Sequence, residues 1–336
     1  MKLELPCWTS HHNLLLYSFL FFCYENDFAF NVVFNNRLAT GGGIIYLDDD
    51  KTIFLDYSDD IKFIDDPKRY SFYFKRSLTF ENYSGNIYPL NFQVNYSYKA
   101  INLLMKFKLN DLMNSRNRIE IIRAMDYFNL FTNLSHNAMD ARSFPTSVTD
   151  NNGKIIFHTR LWNPENHIDL EEKKRREIQN QFRIEACRII KRNFENSSVG
   201  IFPDELSARI APDLLLNVKR ISKKEYFKSL RNADIGIADD GLKDTPGWKI
   251  GECLLFGKAV ITTPLNVVVE DFKEYVNYEK LSARDSYLEL PEKIESLIVG
   301  KRYCEMGQKN LEWSENFLHP KNYFKRILAI TKSKTC

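Results

Sequence analysis

The residues best suited to chemistry lie between Leu230 and Pro264. A short apolar run, Ile235–Ala238, leads into a polar loop, Asp239–Pro246. A helical pattern then opens near Gly247 and carries Trp248, Lys249 and Glu252. A strand, a loop rich in Asp, Gly and Pro, and a helix start together bind anions in open α/β sheets, because backbone N–H groups and the helix dipole converge there. Lys249 falls in the first helical turn, where its charge opposes the dipole unless an anion sits beside it. Asp244 and Glu252 stand eight positions apart, and either carboxylate can accept hydrogen bonds from ribose or sugar hydroxyls. A solvated capping cluster uses the same residue types, so spacing alone leaves both uses open.

Three other groups invite a chemical reading. Arg160 follows an apolar run, Lys154–His158, in the segment His158–Pro164. A strand-end arginine can grip phosphate through its forked guanidinium. Asp56, Tyr57, Ser58, Asp59 and Asp60 end another apolar run. Asp56 or Asp59 is a general base if partly desolvated, and otherwise part of an acidic turn. His11 and His12 sit where a strand turns into a helix, and imidazole is the natural base near neutral pH. The run Asp48-Asp49-Asp50 has the form of a metal-binding Asp-x-Asp, but no further ligand flanks it, and no metal site is assigned.

Several elements must position these groups. The chain has 336 residues, 44% hydrophobic and 27% charged, enough for two ordinary cores. Its net charge of +3 argues against a nucleic-acid partner. The six cysteines are scattered with no Cys-x-x-Cys pair, the pattern of free thiols in a reducing compartment. The apolar run Leu14–Cys23 is too short to span a bilayer and reads as a helix within residues 11–25 that is buried or, as the lesser alternative, faces a membrane. Apolar runs Ile44–Leu47 and Thr52–Leu55 suggest a hairpin or a tight connection, and strands are expected at 28–34 and 70–74. Helical spacing recurs over 100–112 and 119–133, while 79–97 reads as loop.

Residues 140–153 lack periodicity and mark a boundary. Beyond them strands alternate with helices, as in a parallel sheet covered on both faces. Asp169–Phe194 predicts a long helix with its many charges on an open face. Helices are also expected at 223–231, 267–275, 286–299, 309–317 and 323–331. The organisation is therefore 1–150, 151–312 and a closing helical segment, 313–336.

Taken together, these residues resemble the nucleotide-sugar glycosyltransferases of the GT-B fold, of bacterial polysaccharide or exostosin-like type. The segment HTRLWNPEN resembles that family's strand ending in Arg-Leu, and ADIGIADDGLKDTPGWKIGECLLFGKAVITT resembles its donor signature. This chain has Asp244 for the usual Glu, Thr245-Pro246 for the usual Gly, and Ala259 for the common Pro. The resemblance implies an α/β fold of two Rossmann-like domains facing across a cleft, with a C-terminal helix crossing back to the first. Residues 1–150 would take the acceptor and 151–312 the nucleotide-sugar donor. Arg160, Lys249, Glu252, Asp244, Trp248 and Gly247 would bind the donor.

The activity implied is metal-independent hexosyl transfer with no cofactor beyond the donor substrate. The acceptor would be a glycan or lipid-linked glycan in surface polysaccharide synthesis. The location implied is the cytoplasm, with peripheral contact at the inner membrane's cytoplasmic face, which Lys75, Arg76, Lys106 and Lys108 near aromatic surface permit. If transfer inverts the anomeric centre, Asp56, Asp59, His11 or His12 supplies the base. The alternative is a non-catalytic nucleotide-binding or protein-interaction module of the same fold. A dinucleotide oxidoreductase is disfavoured, because no Gly-x-Gly-x-x-Gly follows a predicted strand.

Overall fold

The structure, a computed structural model, describes residues 1–7, 9–47, 51–97, 139–217, 222–241, 243 and 245–333. The predicted helices at 100–112 and 119–133, with Lys106 and Lys108, the run Asp48–Asp50, and Asp244 lie outside the described residues. The chain divides into two α/β units. Unit 1 comprises Met1–Phe144, Asn266–Glu270 and Glu315–Cys336, and unit 2 comprises Pro145–Leu265 and Asp271–Ser314.

Unit 1 holds strands β1 (Lys2–Leu5), β2 (Asn31–Phe34), β3 (Gly42–Tyr46), β4 (Thr52–Asp56), β5 (Phe72–Lys75) and β6 (Ile87–Pro89), in the order β2-β1-β3-β4-β5-β6. The expected hairpin is present as the antiparallel pair β3–β4. β3 also runs against β1, so β1, β2, β4, β5 and β6 all point one way. The segments after Leu5, Asp56 and Lys75 consequently leave the same edge. β6 lies in the stretch read as loop. Its Pro89 lacks an N–H and is tolerated because β6 is an edge strand. A short parallel pair, β7 (Tyr96–Ser97) with β8 (Met139–Asp140), completes the strands of unit 1 among the described residues.

Helix α1 (Asn13–Glu25) is buried along nearly its whole length, from Leu14 to Phe21 and at Cys23. A helix apolar on all sides needs cover on all sides. Part of that cover comes from the last helix of the chain, Pro320–Ser333. Its Phe324 meets Phe19 edge-on at 5.3 Å and Phe22 at 5.2 Å. Tyr323 shares a 2.9 Å hydroxyl–hydroxyl hydrogen bond with Tyr57, just past β4.

Unit 2 is a fully parallel sheet of β9 (Ile155–Thr159), β10 (Ser197–Ile201), β11 (Ile235–Ala238), β12 (Ala259–Thr262) and β13 (Tyr278–Lys280), ordered β10-β9-β11-β12-β13. Its helices are α2 (Leu170–Asn193), α3 (Glu205–Ile210), α4 (Lys223–Arg231), α5 (Trp248–Leu255), α6 (Leu290–Ile298) and α7 (Arg302–Phe317). The closing helix Pro320–Ser333 is α8.

Side chains alternate across the sheet. Ile155, Phe157, Ile235, Ile237, Ala259 and Ile261 share a core with Phe182 of α2 and Ile294 of α6. On the opposite face His158 meets Tyr226 of α4 at 5.9 Å, and a Cβ on Gly236 would collide with Cys253 Sγ of α5. The chain leaves β9 toward β10 on one side and returns to β11 on the other. The crevice between the ends of β9 and β11 is therefore the topological switch point, where open α/β sheets accept ligands.

The helix predicted over 267–275 is absent. Asp271 and Tyr275 take φ of 50° and 65°, left-handed values that interrupt an α-helix. They direct the chain into β13, which sequence reasoning missed.

Candidate functional site

Two loops flank the switch point of unit 2. Arg160 follows β9 and is exposed. Its guanidinium lies 4.8 Å from the Phe202 ring centre and 5.8 Å from that of Trp162, and makes no ion pair among the described residues. The loop after β11 turns back on itself. Gly241 N donates to Thr245 O at 2.5 Å, and Asp240 bridges antiparallel to Pro246. Gly247 is then the N-cap of α5, and a Cβ there would lie 2.5 Å from Asp239 O. Glycine is needed at this position for close approach, since its φ is an ordinary −65°. Trp248 is the first residue of α5, and Lys249 the second.

The Lys249 ammonium is half-buried and has no hydrogen bond or ion pair among the described residues. Burial first, then the Arg183 charge, lowers its pKa to about 8, although Asp239 and Glu252 act in the opposite sense. A desolvated cation at a helix N-terminus is doubly unfavourable by itself. Both penalties fall when an anion binds.

One turn further, Glu252 is 2% exposed. Its Oε1 accepts from Lys223 Nζ, while Oε2 is buried without a hydrogen-bond partner. Lys223 opens α4 and lies over the rings of Tyr226 and Phe227, at 4.8 and 4.9 Å. Arg160, Gly247, Trp248, Lys249 and Glu252 thus occur on elements meeting at one edge of unit 2.

The frame behind this edge was read only in part from sequence. Glu171, Lys174 and Glu177 do line an open face of α2, but Glu172, Arg175, Arg176, Gln179, Asn180 and Arg183, on the other face, are buried. Arg183 Nε donates to Asp239 Oδ2 at 2.6 Å, and its Nη1 to Arg160 O at 2.5 Å. Arg175 Nη1 donates to Asp240 Oδ2 at 3.1 Å and Gly241 O at 2.9 Å, while Gln179 Nε2 donates to Asp240 O. Asn180 Nδ2 donates to Trp162 O at 2.7 Å and its Oδ1 accepts from Trp162 N at 2.9 Å. Arg284 adds a 3.2 Å ion pair to Asp240. Burial and then the neighbouring Asp239 raise the Asp240 pKa, against the pull of Arg284, Arg175 and Arg183.

A sequence signal for this frame did exist. Polar residues occupy the inward helical positions 172, 175, 176, 179 and 183, whereas Ala186, Cys187 and Ile190 continue the same stripe with apolar ones.

In unit 1 the four candidate bases separate clearly. Asp56 is 0% exposed, and both its oxygens are engaged. Oδ1 accepts from Ser58 N and Oγ at 3.0 and 2.6 Å; Oδ2 accepts from Tyr73 OH at 2.8 Å, Lys75 Nζ at 2.9 Å and Ile64 N at 3.3 Å. It is an interior anchor and presents no lone pair to a substrate, which corrects its reading as a base.

His12 is corrected likewise. It is 0% exposed, its Nδ1 lies 3.1 Å from Thr9 Oγ1, and burial lowers its pKa to about 4. Asp59 is partly exposed and paired with Arg76. Lys75 and Arg76 are 0% and 2% exposed and offer no charge to a membrane surface, which corrects their reading as a contact patch. His11 is half-buried, and burial, then the Arg76 charge, lowers its pKa. It is therefore neutral near pH 7, and a weaker base than free imidazole.

Among the described residues no three His, Cys, Asp or Glu side chains gather as a metal site, and no helix is long and apolar enough to cross a membrane.

No protein-family model matches the chain, and no curated protein matches it. Among solved structures, one similar in architecture is the C-terminal domain of a group 1 family glycosyl transferase, LpcC, from Francisella tularensis. It shares 14% identity over 53% of this chain and 96% of that chain, with a TM-score of 0.38. A glycosyltransferase from Rickettsia africae matches over 96% of this chain and 81% of its own, with 10% identity and a TM-score of 0.41. WaaG, a glycosyltransferase involved in lipopolysaccharide biosynthesis, matches over 74% and 76%, with 9% identity and a TM-score of 0.31.

Proposed function

We propose that this protein is a glycosyltransferase that moves a sugar from a nucleoside-diphosphate donor to a glycan or lipid-linked glycan acceptor. The observation that carries this reading is Lys249: a desolvated ammonium without a counter-ion among the described residues, in the first turn of a helix at the switch point of a parallel sheet. Arg160 adds a second cation without an ion pair at the same edge. The buried, unpartnered Oε2 of Glu252 supplies a hydroxyl acceptor.

In this reading the donor diphosphate is held by Arg160, Lys249 and the first N–H groups of α5. Trp248 and Gly247 shape the entry to that helix. As the glycosidic bond breaks, negative charge grows on the leaving diphosphate, and these preset cations and dipoles stabilise it. The donor is a substrate, so no cofactor is assigned. Glu252 accepts from the donor's ribose or sugar hydroxyls. His11, neutral and part-exposed, is the base for the acceptor hydroxyl. The role proposed is surface polysaccharide synthesis at the cytoplasmic face of the inner membrane.

The test is a panel of nucleotide sugars assayed for release of nucleoside diphosphate, with Lys249→Ala and Glu252→Ala alongside. Turnover abolished or strongly reduced by both substitutions supports the assignment. Release that both leave untouched refutes the site. Tight nucleotide binding with no turnover of any donor or acceptor identifies a binding module instead.

A further inference from the structure

We infer that Arg183 is a positioning residue of the proposed donor site, holding the Arg160 loop and the root of the Lys249 helix in one fixed arrangement through its bonds to Arg160 O and Asp239. The inference rests on the donor-site reading for its function and on unit 2's geometry for its structure.

Three observations converge on this side chain. It is buried, with 5% exposure. The two groups it joins lie on separate strand-end loops: Nη1 reaches Arg160 O at 2.5 Å and Nε reaches Asp239 Oδ2 at 2.6 Å. Asp239 is also the residue whose carbonyl abuts Gly247, the N-cap of α5. The path from Arg183 to Lys249 therefore runs through a charged hydrogen bond and a backbone contact with no room for slack.

Arg175 and Gln179 stand eight and four positions before it on the same helix face and secure Asp240 and Gly241 in the same way. The guanidinium fork suits this double role, because its donors diverge in a fixed plane. A lysine could meet Asp239 or the Arg160 carbonyl, but its single ammonium does not reproduce the fork. The same guanidinium acts electrostatically on Lys249. Its loss would both loosen the site and remove a like charge from the proposed phosphate ligand.

The experiment uses the full chain with Arg183→Lys, Arg183→Met and, as a control on the outer face of α2, Arg188→Gln. UDP, GDP, ADP and CDP are titrated by calorimetry. Acylation of Lys249 by acetic anhydride is followed against pH by peptide mass spectrometry.

Arg183→Lys should weaken the best-bound nucleoside diphosphate by about tenfold or more, as expected for losing a charged hydrogen bond. Arg188→Gln should bind as wild type. Arg183→Met should shift the Lys249 acylation midpoint upward, and Arg183→Lys should shift it less. A folded Arg183→Lys variant with wild-type affinity overturns the positioning role, and it decides the matter if Arg183→Met does not fold. A wild-type chain that binds none of the four nucleotides refutes the donor reading instead. The acylation profile then judges Arg183 alone: a midpoint identical in wild type and a folded Arg183 variant refutes its coupling to Lys249.

Discussion

The carbonyl oxygen of Asp239 lies 2.5 Å from where a Cβ on Gly247 would stand. Real Cβ atoms do not approach backbone oxygen so closely, so Gly247→Ala must displace the loop or the helix start. The expected cost is roughly 1–3 kcal/mol of stability, typical of overpacking. The N–H groups of α5 should also turn away from the phosphate position. Thermal unfolding and nucleoside-diphosphate titration read the two effects separately, and an alanine variant that binds like wild type contradicts the proposed packing.

Lys249 should make nucleotide affinity depend on pH. Its folded-state pKa of about 8 lies below the ordinary lysine value. The ammonium that attracts phosphate is therefore present below about pH 8 and disappears above it. Diphosphate affinity should fall as pH rises from 7 to 9 (about the span over which such a group titrates). Lys249→Arg should flatten that dependence, because guanidinium stays charged. Lys249→Ala should lower turnover by roughly 10²–10³-fold, the scale of losing one preset charge at a developing anion.

Asp56 and His11 should fail in different ways. Asp56→Asn leaves Lys75 buried at 0% exposure without its counter-ion. The expected loss is about 3–5 kcal/mol, as for other broken buried pairs. His11→Ala should preserve the unfolding midpoint and lower turnover by roughly 10²–10⁴-fold, as for loss of a general base. If Asp56→Asn keeps full stability and loses turnover, the two assignments are reversed.

His12 should set an acid limit on stability. Burial lowers its pKa from 6.5 to about 4. Between those values the unfolded chain binds a proton that the folded chain refuses, so stability is lost as pH falls through that window. The full contribution is on the order of 3 kcal/mol. His12→Gln should reduce the slope of unfolding free energy against pH over that range, whatever its effect at pH 7. An unchanged slope would show that His12 is not held neutral.

Much of the fold was legible where one physical signal dominated. The alternation after residue 153 announced a parallel sheet, and the Asp-rich interruption before Thr52 announced a hairpin. Lys249 was legible as an electrostatic oddity, because a cation in a first helical turn is visible in one dimension. Arg183 was not. A buried arginine is recognisable only beside its acceptors, here Asp239 and Arg160 O, which lie far from it in sequence. Surface charge was accordingly right for Glu171, Lys174 and Glu177 and wrong for the inward positions of the same helix. β6 and β13 were hidden for a simpler reason. Each is three residues long and takes its stability from a neighbouring strand.

The last helix has a consequence for how this chain is made. Phe324 and Tyr323 cover α1 and the end of β4, yet a ribosome reaches them only after most of unit 2. Until they emerge, Leu14–Phe21 lacks part of its cover, while most of unit 2 has already been synthesised in sequence order. Unit 2 can therefore mature before unit 1 closes. A stalled nascent chain lacking Pro320–Ser333 should engage chaperones through its amino-terminal helix, and release of the full chain should end that engagement.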